Sequence, residues 1–327
     1  MTKSKTVLII GGAGYIGSHV NKCLHDHGFS TVIFDNLSTG FQSLAQWGTF
    51  VRGDILSSSD LDLCFNAFPI DAVVHLAAKS IVPDSLSQPS FYYENNVLGT
   101  FNVLEAMRRH GVRSIIFSST CAIYGEPLYS PLDEGHPKKP ITPYGKTKRM
   151  IEDILEDYAR AYGVSYASLR YFNAVGADET GAIGERHDPE THLIPRCLNA
   201  LHQGDRVITV YGDDFDTPDG TCIRDYVHVS DIAQAHRLAL SYLKNERALD
   251  INLGTGVGHS VLEVIREIEQ VTGQALILKK QPRRIGDTAQ LVSSYEKAKR
   301  LLSWSPSRTL SDAIASAWHY TKTNTLP

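Results

Sequence analysis

Short runs of β-branched and aliphatic residues alternate, through the first half of the chain, with longer stretches whose apolar residues recur every three or four positions. The runs Thr6–Ile10, Thr31–Phe34, Ala72–Leu76, Ser114–Phe117 and Ser165–Leu169 predict strands. Most lack the alternate-residue polarity of a sheet with one wet face. Continuous apolar character implies burial on both faces, as in a parallel sheet between helices. The stretches Ile16–His27, Leu61–Phe68, Phe91–Arg109 and Tyr144–Tyr162 predict helices between those strands. This alternation predicts an α/β fold with a doubly wound parallel sheet.

Beyond about Phe172 the texture changes. Glycine, proline and acidic residues crowd 176–189 and 212–220, and helical periodicity returns at Ser230–Tyr242, Ser260–Val271, Tyr295–Leu302 and Leu310–Tyr320. A smaller, loop-rich α/β lobe is expected over the carboxyl edge of the sheet, where doubly wound folds bind ligands. The expected division assigns residues 1–172 to the sheet domain, with about 226–254 packing back on it. Residues 173–225 and 255–327 form the second lobe. The sequence contains no internal repeat and no low-complexity tract.

Composition narrows the partners. The 327 residues are 42% hydrophobic and 21% charged, ordinary values for a soluble globular chain. A formal charge of −4 argues against nucleic acid or an anionic membrane face as the main partner. No apolar run approaches the ~20 residues of a membrane span. Basic residues precede Val7–Ile10, but that patch is far short of the ~7–15 apolar residues of a signal sequence. A cytoplasmic protein is expected. Cys23, Cys64, Cys121, Cys197 and Cys222 are scattered, with no C-x-x-C, so neither a disulfide framework nor a thiolate zinc site is expected. His187 and His192 suggest a metal pair, but no carboxylate or third histidine frames them at a recognised ligand spacing. No metal is expected.

Gly11-Gly12-Ala13-Gly14-Tyr15-Ile16-Gly17 follows the first strand and opens the first helix. Its glycines let backbone N–H groups approach a pyrophosphate at the positive end of that helix. In this strand–turn–helix context the pattern predicts a dinucleotide-binding domain of the Rossmann type. Asp35 ends the second strand, 18 positions after Gly17, close to the ~20 expected for an acid gripping a ribose 2′-hydroxyl. Its carboxylate repels a 2′-phosphate, and residues 36–40 contain no Arg or Lys. NAD is favoured over NADP. Asp54, after a third short strand, is placed to reach the adenine.

The pattern Y-x-x-x-K occurs twice, at Tyr144–Lys148 and Tyr295–Lys299. Context separates them. Thr142-Pro143 supplies an N-cap and a first-turn proline, so Tyr144 opens a helix and Lys148 sits one turn along the same face. Tyr295–Lys299 lies in an ordinary charged helix and reads as a solvated face. A phenol with a pKa near 10 becomes a base at neutral pH only with about 4 kcal/mol of extra stabilisation of its phenolate. A lysine ammonium and an oxidised, cationic nicotinamide can both supply it. Thr120, ending the strand Phe117-Ser-Ser-Thr, offers a hydroxyl to the same substrate oxygen. Tyr144, Lys148 and Thr120 are the candidate catalytic residues.

Together with Asn95–Thr100, Ser118–Gly125 and Tyr171-Phe172-Asn173, these segments resemble the extended short-chain dehydrogenase/reductases. Asp35-Asn36-Leu37, Gly53-Asp54-Ile55, Arg224–Asp231, Asn252–Gly256 and Pro282–Asp287 are similar to the UDP-hexose 4-epimerase group of that family, with motifs spread from about residue 6 to residue 304. The resemblance implies a tightly held NAD used as an internal hydride store and a UDP-hexose substrate, UDP-glucose or UDP-galactose. It also implies inversion at C4′ through a 4-keto sugar, with Tyr144 as base, and a homodimer formed through a helix bundle.

Tyr15, Ile16, Asp35, Asn36, Leu37, Ser38, Thr39, Gly40, Asp54, Ile55, Leu76, Ala77, Ala78, Lys79, Ser80, Asn96 and Phe172 match cofactor positions of the family, beside Gly11, Gly14, Gly17, Tyr144 and Lys148. Asn173, His192, Leu193, Thr209, Val210, Tyr211, Arg224, Arg284 and Asp287 match positions around UDP. Arginine forks suit a diphosphate, and Asp287 can accept from ribose hydroxyls. There are departures. Lysine stands at Lys79 where some members carry it at the position of Ser80, and His192 replaces an asparagine of some members. Leu291 occupies a pocket-edge position where some hexose-restricted members carry tyrosine.

Several rivals stay in view. Acceptance of UDP-N-acetylglucosamine or of UDP-pentoses depends on pocket volume. A 4,6-dehydratase carries acidic residues directly after the triad hydroxyl, whereas Cys121-Ala122-Ile123 follow Thr120 here. An inactive NAD-binding sensor has no use for Tyr144, Lys148 and Thr120 together.

Overall fold

The structure, a computed structural model, describes residues 4–324. Met1–Lys3, part of the basic start of the chain, lie outside the described residues. The chain opens β1 (Thr6–Ile10), α1 (Tyr15–Asp26), β2 (Ser30–Asp35), β3 (Thr49–Arg52), α2 (Ser58–Ala67) and β4 (Ala72–His75). Two short helices follow, α3 (Val82–Ser87) and α4 (Pro89–Tyr92), then a wider π turn at Tyr93–Leu98 leading into α5 (Gly99–Arg109). The single helix expected over Phe91–Arg109 is therefore divided by a change of winding. Next come β5 (Ser114–Thr120), α6 (Pro143–Tyr162) and β6 (Ser165–Tyr171). β5 runs three residues past the apolar pattern, because Ser118, Ser119 and Thr120 pair with β6 despite their hydroxyls. That extension carries Thr120 to the carboxyl edge.

The rest contains β7 (Asn173–Val175), α7 (Leu193–Gln203), β8 (Val207–Tyr211), β9 (Ile223–His228), α8 (Val229–Tyr242) and β10 (Ala248–Leu253). It ends with β11 (Gly258–Ser260), α9 (Val261–Thr272), β12 (Ile277–Gln281), β13 (Gln290–Leu291), α10 (Glu296–Leu302) and α11 (Leu310–Thr323). Seven parallel strands form the main sheet in the order β3-β2-β1-β4-β5-β6-β10. The direction of winding reverses between β1 and β4, and a ligand crevice opens at such a switch point. β1 is buried at all five positions, which is why it shows no alternation.

Two apolar clusters cover the two faces of the sheet. Leu24, Leu240 and Trp304 belong to one; Leu61, Met107 and Leu155 belong to the other. A third cluster, with Leu198, Ile208, Val264 and Ile314, is the core beneath the small sheets. No helix among the described residues is long and apolar enough to cross a membrane.

Candidate active site

The glycine loop is built by close approach. Gly11 has φ +81°, and a Cβ there would lie 2.5 Å from the backbone N of Ala77. A Cβ at Gly17 would overlap the carbonyl oxygen of Gly11. α1 begins at Gly14 with no side-chain cap and no acid in its first turn. Its free N–H groups and positive end face the cavity, as an anionic phosphate requires. Asp35 ends β2 on the same wall. Its Oδ2 accepts from the Ala13 N–H (3.0 Å) and its Oδ1 from the Leu37 N–H (2.8 Å). Each oxygen keeps a lone pair for a ribose hydroxyl, while the carboxylate also ties β2 to the loop. These residues fit a dinucleotide.

α6 starts as the sequence predicts. Thr142 caps it by accepting from the Gly145 N–H (3.2 Å), with Pro143 in the first turn. Tyr144, Lys148 and Glu152 then fall on one face, one turn apart. Lys148 is 1% exposed, and its Nζ donates to the carbonyl of Ser118 (2.7 Å). Burial lowers its pKa to about 7. Burial pushes the Tyr144 phenol well above its ordinary value, opposed by a hydrogen bond from Thr120. A dry site disfavours both charged forms, so burial here opposes the phenolate stabilisation expected of Lys148.

Below these groups lies a buried ion pair. Arg170 donates to both oxygens of Glu152 (2.8 and 2.9 Å), Ser119 Oγ donates to Glu152 Oε1 (2.7 Å) and Lys138 Nζ to Oε2 (2.9 Å). Burial would raise the Glu152 carboxyl, yet the Arg170 guanidinium holds it low.

The cavity measures about 850 Å³ and gathers nearly every predicted residue on its wall. Gly11, Gly14, Tyr15, Ile16, Gly17, Asp35, Asn36, Ser38, Thr39, Gly40, Ile55, Leu76, Ala77, Ala78, Lys79, Ser80 and Phe172 line it beside Thr120, Tyr144 and Lys148. So do Asn173, His192, Leu193, Thr209, Val210, Tyr211, Arg224, Arg284, Asp287 and Leu291. Asp287 draws the two arginines together, at 3.0 Å from Arg284 and 3.8 Å from Arg224. Arg224 Nη1 also donates to the carbonyls of Ile223 and Thr288. Tyr295 and Lys299 are not on the wall.

The family model described as "NAD dependent epimerase/dehydratase family" matches residues 7–254. The chain belongs to that family. Its cofactor is NAD, and it is an enzyme of the isomerase class. It is 47% identical to the UDP-glucose 4-epimerase of Halalkalibacterium halodurans, over 97% of this chain and 95% of that protein. Its fold matches the UDP-glucose 4-epimerase of Brucella ovis in complex with NAD, with a TM-score of 0.93, 46% identity and coverage of 97% and 98% of the two chains. The enzyme of Bifidobacterium longum, in complex with NAD+ and UDP, matches with a TM-score of 0.94, 35% identity and coverage of 98% and 99%.

Three predicted residues of this family member stand off the wall, and each holds a neighbour that is on it. Leu37, with φ 60°, gives its N–H to Asp35. Asp54 accepts from the Asn36 amide (2.9 Å). Asn96, placed by the π turn, binds both the N–H and the carbonyl of Lys79 (2.8 and 3.0 Å). Asn95 takes the place on the wall.

Sequence reasoning missed the Ser118 carbonyl, since a backbone acceptor leaves no side-chain signal. It also misjudged the histidine pair. Glu185 and Glu190 do frame His187 and His192, with His192 Nδ1 3.1 and 2.9 Å from their oxygens. The eight-residue loop folds back on itself, so its ligand-type side chains converge without a regular spacing.

Proposed function

We propose that this chain interconverts UDP-glucose and UDP-galactose by inverting C4′ through a transient 4-keto sugar. One observation supports it above all. An acid–base tyrosine, a buried lysine and a strand-end hydroxyl share a cavity wall with an uncapped glycine-loop helix and an arginine pair.

The chemistry supplied by NAD when bound is reversible hydride storage, with positive charge on the oxidised ring. Tyr144 Oη takes the proton from O4′ and returns it after the ketone has turned. Thr120 holds O4′ against Tyr144, and Lys148, anchored at Ser118, orients the nicotinamide ribose. Arg224 and Arg284 exchange Asp287 for the diphosphate, which frees that carboxylate for the uridine ribose. In this reading the sheet domain through Phe172 holds the cofactor, and the lobe of 173–225 and 255–327 holds the UDP-sugar.

We also propose a homodimer. Phe101 and Tyr162 each pack edge-on to the buried Tyr158, so α5 and α6 expose two aromatic rings, with the exposed Leu98 just before α5. Leu291 favours a second reading, acceptance of N-acetylated UDP-hexoses, because leucine leaves more room at the pocket edge than tyrosine.

The test is incubation with UDP-glucose, UDP-N-acetylglucosamine and UDP-xylose without added reductant, with products separated by chromatography. UDP-galactose without net NADH is expected; failure to convert UDP-glucose overturns the reading. Tyr144→Phe is expected to lose ~10²–10⁴-fold in kcat while retaining NAD, and Tyr295→Phe to be silent.

A further inference from the structure

The loop between β7 and α7, which supplies His192 to the cavity wall, also holds a cluster whose convergence the proposed epimerisation does not explain. Glu185, His187, Glu190 and His192 each turn one ligand-type atom to a common point, and all four atoms lie within 4.8 Å of one another. Both histidines present Nδ1. His192 Nδ1 stands 2.9 Å from Glu190 Oε1 and 3.1 Å from Glu185 Oε1. His187 Nδ1 stands 3.3 Å from Glu190 Oε2 and 3.5 Å from Glu185 Oε1. A tetrahedral ion bound at ~2.0–2.2 Å holds its donors roughly 3.3–3.6 Å apart. The four His–Glu separations are within a few tenths of an ångström of that geometry, and the widest separation in the set, up to 4.8 Å, closes by side-chain rotation of about an ångström.

We infer that the loop Glu185–His192 binds one zinc ion. Two nitrogens and two carboxylate oxygens suit zinc, whereas calcium and magnesium require a larger, all-oxygen shell. Two carboxylates cancel the ion's charge, and zinc takes the place of the proton shared between His192 Nδ1 and the two glutamates. The glutamates are largely withdrawn from solvent, at 8% and 12% side-chain exposure, while the histidines face the cavity at 28% and 50%. Four protein ligands close the coordination shell, which marks a structural rather than a catalytic ion. Its work is local. The loop lines the cavity, His192 stands at the start of α7, and the His187 ring packs edge-on to Tyr15 of the glycine-loop helix at 6.3 Å. An ion there locks the loop to the two helix starts that border the ligand cavity.

The full chain, made without a polyhistidine tag, is stripped with a chelator and titrated with Co²⁺ and then Zn²⁺. One equivalent per chain is expected, with the visible absorption of tetrahedral cobalt and its loss on zinc addition. Elemental analysis of the untreated protein checks the metal acquired in the cell. His187→Gln and Glu185→Gln are expected to weaken zinc by more than the ~10–100-fold that loss of an outer-shell partner costs. Circular dichroism confirms that each variant is folded. Wild-type protein that retains neither cobalt nor zinc after reconstitution overturns the site, whatever the variants do. Binding unchanged in both variants overturns it too, by placing the metal elsewhere.

Discussion

Leu291 closes one edge of the cavity while packing on Ile123, Tyr124, Leu132 and Phe172. A larger side chain there has no slack to move into on its inner side, so it must grow toward the ligand. Overpacking a fixed pocket costs ~1–3 kcal/mol, or roughly 5- to 150-fold in kcat/KM. Leu291→Tyr is therefore expected to lower kcat/KM for UDP-N-acetylgalactosamine by that factor and leave UDP-galactose nearly unchanged. Equal ratios in the two proteins would remove Leu291 from the gate. At this scale the sequence was informative where a residue's own side chain faces the cavity, as for Asp35, Tyr144 and Arg224. It was less so where a residue acts through a neighbour. Asn96 and Asp54 carry family-like identities, yet their contacts are to Lys79 and Asn36. No spacing rule distinguishes the residue on the wall from the one behind it. The convergence of Glu185 and Glu190 on two histidines was illegible for a related reason: an irregular loop has no period.

α6 is both catalytic platform and structural strut. Its face carries Tyr144, Lys148 and Glu152 in successive turns, and the Glu152–Arg170 pair fixes it to β6. Arg170 is fully buried and Glu152 nearly so. Removing one partner of such a pair leaves an uncompensated charge and typically costs ~3–5 kcal/mol, whereas replacing both with apolar residues is often near neutral. Arg170→Met is expected to lower the unfolding free energy measured in urea by that amount, and Arg170→Met with Glu152→Leu to recover most of it. A double variant as unstable as the single one would show that the pair does more than cancel its own burial. The caps of α6 and the glycine turn before α1 were legible because their chemistry is local. The π turn at Tyr93–Leu98 was not, since nothing in its composition separates it from an α-helix. Its winding is set by the contacts of Asn96 with Lys79 and Thr147.

For the whole molecule, the outer strip of α5 and α6 makes the proposed dimer testable. A charge placed in the strip by Phe101→Glu has to be desolvated for the subunits to meet, so light scattering is expected to show the monomer mass for this variant and twice that mass for the wild type. The interior makes a second demand, on pH. His19, His75 and His236 are buried, and burial lowers their pKa values to about 4, 3 and 4. His236 shows why the neutral form is required. Its Nδ1 lies 2.9 Å from the Ile232 carbonyl and so donates, leaving Nε2 to accept from the Tyr171 hydroxyl at 2.5 Å. A second ring proton would oppose the tyrosine donor. In the unfolded chain the same ring titrates near 6.5. Above that pH both states hold it neutral and its contribution is fully present. As pH falls from about 6.5 toward 4 the unfolded state takes up the proton first, and stability drops by about 1.4 kcal/mol per pH unit per histidine. For His236 the loss totals on the order of 3 kcal/mol, a large share of the ~5–15 kcal/mol typical of a folded protein. The urea midpoint of the wild type is expected to fall steeply between pH 6.5 and 4. His236→Gln, whose amide can donate to Ile232 and accept from Tyr171 without titrating, is expected to fall less steeply by one proton's worth. The same slope in both proteins would mean that His236 takes up its proton in the folded state as readily as in the unfolded chain.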